Sequence, residues 1–129
     1  KLGDNTQAAL VSRGMNEILE LSKVYDLNVN TLYGLSGLGD LVGTCYSIHS
    51  RNRQLGILLS EGKTLNEAKS IIGMVSEGVN TSNMLYNIII KNKLEMPICI
   101  EVYNILYKNS DPKVSLRRLM SRKLKRESE

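Results

Sequence analysis

Two kinds of large side chain are missing altogether: the sequence has no Trp and no Phe. A core built from it must be filled by Leu, Ile, Val, Met and the six Tyr, which suits helices packed through aliphatic stripes. Histidine is almost absent too, and the lone His49 excludes a multi-histidine metal site within this chain. Only two cysteines occur, Cys45 and Cys99, far apart and in no metal-ligand spacing. A disulfide between them stays open, but a domain able to bury a core favours reduced thiols and with them a cytoplasmic setting. Long apolar runs are lacking as well; a stretch such as Ile88-Ile89-Ile90 is far too short to span a bilayer. No apolar signal segment follows the first charged residues Lys1-Leu2-Gly3-Asp4, and no Met opens the chain, so the expectation is a piece of a longer protein.

What is present fits one domain of 129 residues with ordinary hydrophobic (42%) and charged (23%) content, so disorder is not the default. The net charge is +4, and its source is local. Lys113, Arg117, Arg118, Arg122, Lys123, Lys125 and Arg126 crowd the C-terminal stretch, and without them the chain would be slightly acidic. So modest a global charge argues against nucleic acid as the main partner.

Helical signals run from end to end. Asp4-Asn5-Thr6 offers N-cap side chains for a helix from about Thr6 to Tyr25, with Ala8, Val11, Met15, Ile18 and Leu19 at three-four spacing. Gly14 within it reads as a site of close helix packing. Asn28 or Asn30 caps a short helix through Leu32 and Tyr33, and Leu38 to Cys45 form another, with Asp40 and Thr44 one turn apart on one face. Ser50 caps a helix through Leu55, Leu58 and Leu59 to Gly62. Thr64-x-x-Glu67 is a capping box opening a helix that runs to Gly73. Met74 to Val79 reads as an irregular connection before a helix from about Thr81 to Lys91. Pro97 and Asp111-Pro112 open the last two. No segment shows strand-like alternation. The expectation is an all-α domain over residues 1–129, with about eight helices.

Chemistry concentrates between Gly34 and Arg53. The spacing Gly34-x-x-Gly37-x-Gly39 is no dinucleotide fingerprint, because no strand precedes it and the glycine order is wrong. Asp40, between Leu38 and Leu41, reads as a buried acid that needs a cationic or hydrogen-bonding partner; a helix cap or structural ion pair is the competing reading. Arg51-Asn52-Arg53 sets two guanidinium forks and an amide at a helix start, a natural anion site, although such a tripeptide alone also reads as a solvated basic turn. Glu77, beside Gly78, can accept hydrogen bonds from a sugar hydroxyl or serve as a surface acid. His49 reads as a solvent-facing loop residue, Cys45 as a core thiol, and the basic C-terminal set as a solvated helix face.

These same residues carry a family resemblance. Gly3-Asp4-Asn5-Thr6, Ala8-Ala9-Leu10, Arg13-Gly14, Gly34-Leu35-x-Gly37-Leu38-Gly39-Asp40-Leu41, Thr44-Cys45, Ser50-Arg51-Asn52-Arg53, Glu77-Gly78 with Thr81, Met96-Pro97-Ile98 and Glu101-Val102-Tyr103 follow one another in order. Together they resemble the C-terminal domain of bacterial-type NAD(P)-dependent glycerol-3-phosphate dehydrogenases, a helical domain of the 6-phosphogluconate dehydrogenase-like kind. The resemblance implies interconversion of sn-glycerol 3-phosphate and dihydroxyacetone phosphate by hydride transfer with NAD or NADP. It implies that Asp40 binds substrate near a catalytic lysine and that Thr44 lies in the same site. Ser50, Arg51 and Asn52 would hold the substrate phosphate, and Arg51, Val75 and Glu77 would touch the cofactor. It also implies an N-terminal Rossmann domain as partner, binding most of the cofactor, and leaves room for a homodimer. That lysine and the dinucleotide turn are not in this sequence, so the chain alone is expected to be inactive. The basic tail has no counterpart in the resemblance. It keeps one rival in view, a non-catalytic helical module whose tail binds an acidic partner or RNA.

Overall fold

The computed structural model describes residues 3–34, 37, 39, 42, 43, 47, 49–73 and 77–122. Among them run seven α-helices and one 3-10 turn, with no strand: α1 (Asp4–Glu20), the turn Leu21–Lys23, α2 (Val29–Tyr33), α3 (Arg51–Ser60), α4 (Leu65–Ile72), α5 (Glu77–Asn92), α6 (Pro97–Tyr107) and α7 (Pro112–Ser121). The all-α expectation holds. The eighth expected helix, Leu38 to Cys45, falls largely outside the described residues. No described helix is long and apolar enough to cross a membrane.

Most helix starts follow local chemistry. Asn28 Oδ1 accepts the amides of Asn30 (3.0 Å) and Thr31 (3.4 Å). Thr64 and Glu67 exchange both bonds of the capping box, and α4 ends at Gly73, whose φ of 81° is left-handed. The Thr64 amide also holds the Glu67 carboxyl below its ordinary range. Asp111 accepts the Lys113 amide at 2.9 Å, with Pro112 at the first helical position, where a missing N–H costs nothing.

Four expectations are corrected. The N-cap of α1 is Gly3, with no side-chain cap bond; the helix begins before the polar residues expected to cap it, and the Gln7 amide closes the first turn on the Gly3 carbonyl at 3.0 Å. It also ends at Glu20 instead of Tyr25, tightening into the 3-10 turn. Gly14 meets no described atom within 4 Å of where a Cβ would stand, so close packing does not explain it. Finally, α5 begins at Glu77 and not at Thr81. Gly78 looks like a breaker in sequence, but in a helix's first turn its amide needs an outside partner in any case.

The core sits where α3, α4, α5 and α6 meet. Leu55, Ala68, Val79 and Leu106 are buried together, with Leu58, Leu59, Leu65 and Ile72 packed around them. Helices α5 and α6 form an antiparallel hairpin, and α6 also packs on α1 and α7. Because Leu55 lies one turn into α3 and Val79 lies in the first turn of α5, this core brings two helix N-termini side by side.

Candidate active site at two helix starts

Ser50 has extended backbone (φ −66°, ψ 122°), and its Oγ accepts the Arg53 amide at 3.2 Å, the N-cap expected of it. That turn sets Arg51 and Asn52 on the exposed face of α3, while Arg53 is half-buried. Asn52 reaches across to α5: its Oδ1 accepts the Gly78 amide at 3.3 Å. The contact joins residues 26 apart in sequence and puts the Ser50-Arg51-Asn52 turn next to Glu77, whose side chain is exposed in the first turn of α5. The other side of that turn is also held. Tyr107 Oη donates to the Val79 carbonyl at 2.8 Å, and Ser82 Oγ donates to the Gly78 carbonyl at 2.6 Å.

Two helix N-termini therefore converge beside a guanidinium. Each carries the positive end of a helix dipole, so this edge favours an anion. Arg51 and Arg53 form no ion pair among the described residues. The structure thus brings together Ser50, Arg51, Asn52 and Glu77 of the expected set. Asp40, Thr44 and Val75, the remaining site expectations, lie outside the described residues, as does Cys45. His49 is exposed in a turn, as expected.

Sequence reasoning missed a second polar cluster, at the N-terminal end of α6. Glu17 is only 5% exposed, yet it is a carboxylate. Its two oxygens accept the first amides of α6, Ile98 at 2.7 Å and Cys99 at 3.1 Å. Burial raises its pKa, and these bonds only partly offset that effect. Cys99 beside it is pushed up to about 12 by burial and by the Glu17 carboxylate, which favours the protonated thiol over the nucleophilic thiolate. One turn along α1, Glu20 accepts the Glu95 amide at 2.9 Å. Arg118 grips Glu101 with two 2.8 Å bonds and holds its carboxyl below the ordinary range. Arg122 pairs with Glu95 at 3.5 Å. A usable signal for Glu17 was its place next to the apolar face of α1, where an acid must have a partner.

Residues 1–117 match the family model of the NAD-dependent glycerol-3-phosphate dehydrogenase C-terminus. A glycerol-3-phosphate dehydrogenase [NAD(P)+] from Syntrophomonas wolfei is 45% identical over 98% of this chain and 37% of its own length. One from Thermoanaerobacter sp. is 47% identical over 97% of this chain and 38% of its own length. The crystal structure of glycerol-3-phosphate dehydrogenase from Coxiella burnetii superposes with a TM-score of 0.89 at 39% identity, covering 93% of this chain and 37% of that one. The chain thus spans less than two-fifths of the length of the relatives it matches.

Proposed function

Since the chain belongs to the family of NAD-dependent glycerol-3-phosphate dehydrogenase C-terminal domains, we propose that it is the substrate-holding part of a longer enzyme that interconverts sn-glycerol 3-phosphate and dihydroxyacetone phosphate. One observation carries the reading: the Asn52–Gly78 hydrogen bond seats an open arginine and two helix starts next to an exposed acid. A dianionic phosphate needs fixed donors, and Arg51, Asn52 and the Ser50 turn supply them. Glu77 suits a hydroxyl of the cofactor's ribose, while Arg51 suits the negative charge nearby. Asp40 and Thr44 take the reacting end of the substrate. There Asp40 holds the lysine that donates a proton to the carbonyl oxygen as the ketone is reduced. Val75 completes the cofactor side.

NAD or NADP, when bound, supplies or accepts the hydride, and an N-terminal dinucleotide-binding domain holds most of it. Assembly as a homodimer in the cytoplasm belongs to the same proposal.

The direct test is Arg51→Ala in the full-length protein, assayed with glycerol 3-phosphate and NAD(P)+. The Michaelis constant for glycerol 3-phosphate should rise sharply. An unchanged constant removes Arg51 from the phosphate site.

A further inference from the structure

We propose that Gly78 is a positioning residue for Asn52: its backbone amide and its missing side chain fix which end of the Asn52 carboxamide faces the substrate phosphate. The proposal rests on the reading of Asn52 as a phosphate contact. A carboxamide has nearly the same shape when turned by half a rotation, but its two ends are chemically opposite, one accepting and one donating. A phosphate dianion offers only acceptors, so only the NH2 end of Asn52 binds it. The reverse orientation would set an oxygen lone pair against negative charge.

Gly78 decides between the two. A backbone N–H can be met only by an acceptor, so the Gly78 amide at 3.3 Å holds Oδ1 and leaves Nδ2 as the donating end. Turned the other way, two donors would face each other and a first-turn amide of α5 would lose its partner. The missing side chain matters too: the Asn52 carboxamide is the end of an exposed side chain, and a Cβ at position 78 would push it out of its place. A Cβ there would stand 2.6 Å from Oδ1, 3.0 Å from Cγ and 3.2 Å from Nδ2 of Asn52, with no room for all three. Backbone conformation does not require it: the glycines with positive φ are Gly62 and Gly73, and Gly78 has ordinary helical geometry. Space for Asn52 is therefore the reason for a glycine, in a helix that alanine would otherwise favour. Below the contact, Leu55 and Val79 are buried in the same core, so the clash is relieved by the Asn52 side chain turning away and not by the two helices moving apart.

The test is a double-mutant cycle in the full-length enzyme. Gly78→Ala should raise the Michaelis constant for glycerol 3-phosphate by roughly tenfold to a hundredfold, the loss expected when a hydrogen bond to a charged group is removed. The constant for NAD(P)+ should stay within about twofold, and Tm should change little, because alanine's better helix propensity offsets the lost Asn52–Gly78 bond. A purely structural glycine would give the opposite pattern, a lower Tm with both constants moved. Added to Asn52→Ala, Gly78→Ala should cost nothing further; additive losses would overturn the proposal. If Gly78→Ala does not fold, Asn52→Asp decides. It keeps the acceptor for Gly78 and should keep Tm, but should raise the constant more than Asn52→Ala does; a wild-type constant overturns the proposal. Should Asn52→Ala leave the constant unchanged, the phosphate reading of Asn52 itself fails. Should Asn52→Ala raise it and Gly78→Ala not, only the positioning role fails.

Discussion

The two polar corners of this domain treat charge in opposite ways. Where α1, α6 and α7 meet, charges are answered from within: Glu17 by two amides, Glu20 by the Glu95 amide and Lys23, Glu101 by Arg118, and Glu95 by Arg122. Where α3 and α5 begin, Arg51 stands exposed beside two helix N-termini with no carboxylate set against it among the described residues. Satisfied charge holds helices at fixed angles. Open charge at a helix start is positioned for something that arrives with the opposite sign. The comparison also weakens the rival reading of the basic C-terminal stretch, since Arg118 and Arg122 are already paired within the domain.

Mutations at the two corners should therefore fail differently, and the largest effect belongs to the open one. Arg51→Ala in the full-length enzyme should lose about 3 kcal/mol of binding to the substrate's transition state, roughly a hundredfold in kcat/KM, with Tm unchanged. Arg51→Lys should recover only part of this, because an ammonium keeps the charge and loses the fork. Equal loss of Tm and activity in Arg51→Ala would erase the distinction between the corners. Next comes Glu17→Ala, which leaves two amides of α6 without acceptors and should cost about 2–3 kcal/mol of stability. Hydrogen-exchange mass spectrometry over residues 94–100 should show faster exchange, with the substrate constant unmoved. Arg118→Ala should be milder still, since the pair lies half in water; exchange across the α6–α7 contact is the readout.

The smallest effect is a matter of pH, and its sign differs between the two acids of that corner. Glu101 has a folded pKa below the ordinary 4.5, so the unfolded chain takes up its proton first. Its contribution is complete above pH 4.5 and is lost as pH falls through the lowered value. Glu17 has a folded pKa above 4.5, so the folded chain takes up its proton first. Its contribution is complete below pH 4.5 and is lost as pH rises through the raised value. Glu101→Gln should flatten the acid limb of a stability–pH curve, and Glu17→Gln should flatten the decline just above it. Identical curves for the two variants would contradict both assignments.

What could be read from sequence was whatever local chemistry decides. Asn28, Ser50, Thr64 and Asp111 mark helix starts as expected, because a cap and its amides lie within three residues of each other, and Pro97 marks one because its fixed φ suits a first helical position. The start of α5 was not legible, since what permits a glycine there is an asparagine 26 positions away. Glu17 was missed for the same reason, with partners 81 and 82 positions distant. Of the candidate site, the Ser50-Arg51-Asn52 turn could be named from its residue types. Its proximity to Glu77 depended on the Leu55–Val79 core, which no spacing in the sequence announces.

The tyrosines offer an optical consequence. Tyr86 and Tyr103 stack with ring centroids 3.8 Å apart and planes 11° from parallel, and Tyr107 continues the stack at 5.0 Å and 24°. Three of the domain's six tyrosines thus form one column of coupled chromophores, in a domain without tryptophan to outshine them. The column ends on the Val79 carbonyl, one residue from Gly78. Near-ultraviolet circular dichroism from these rings is therefore a built-in gauge of the first turn of α5, one that reads the turn beside Asn52 without a label.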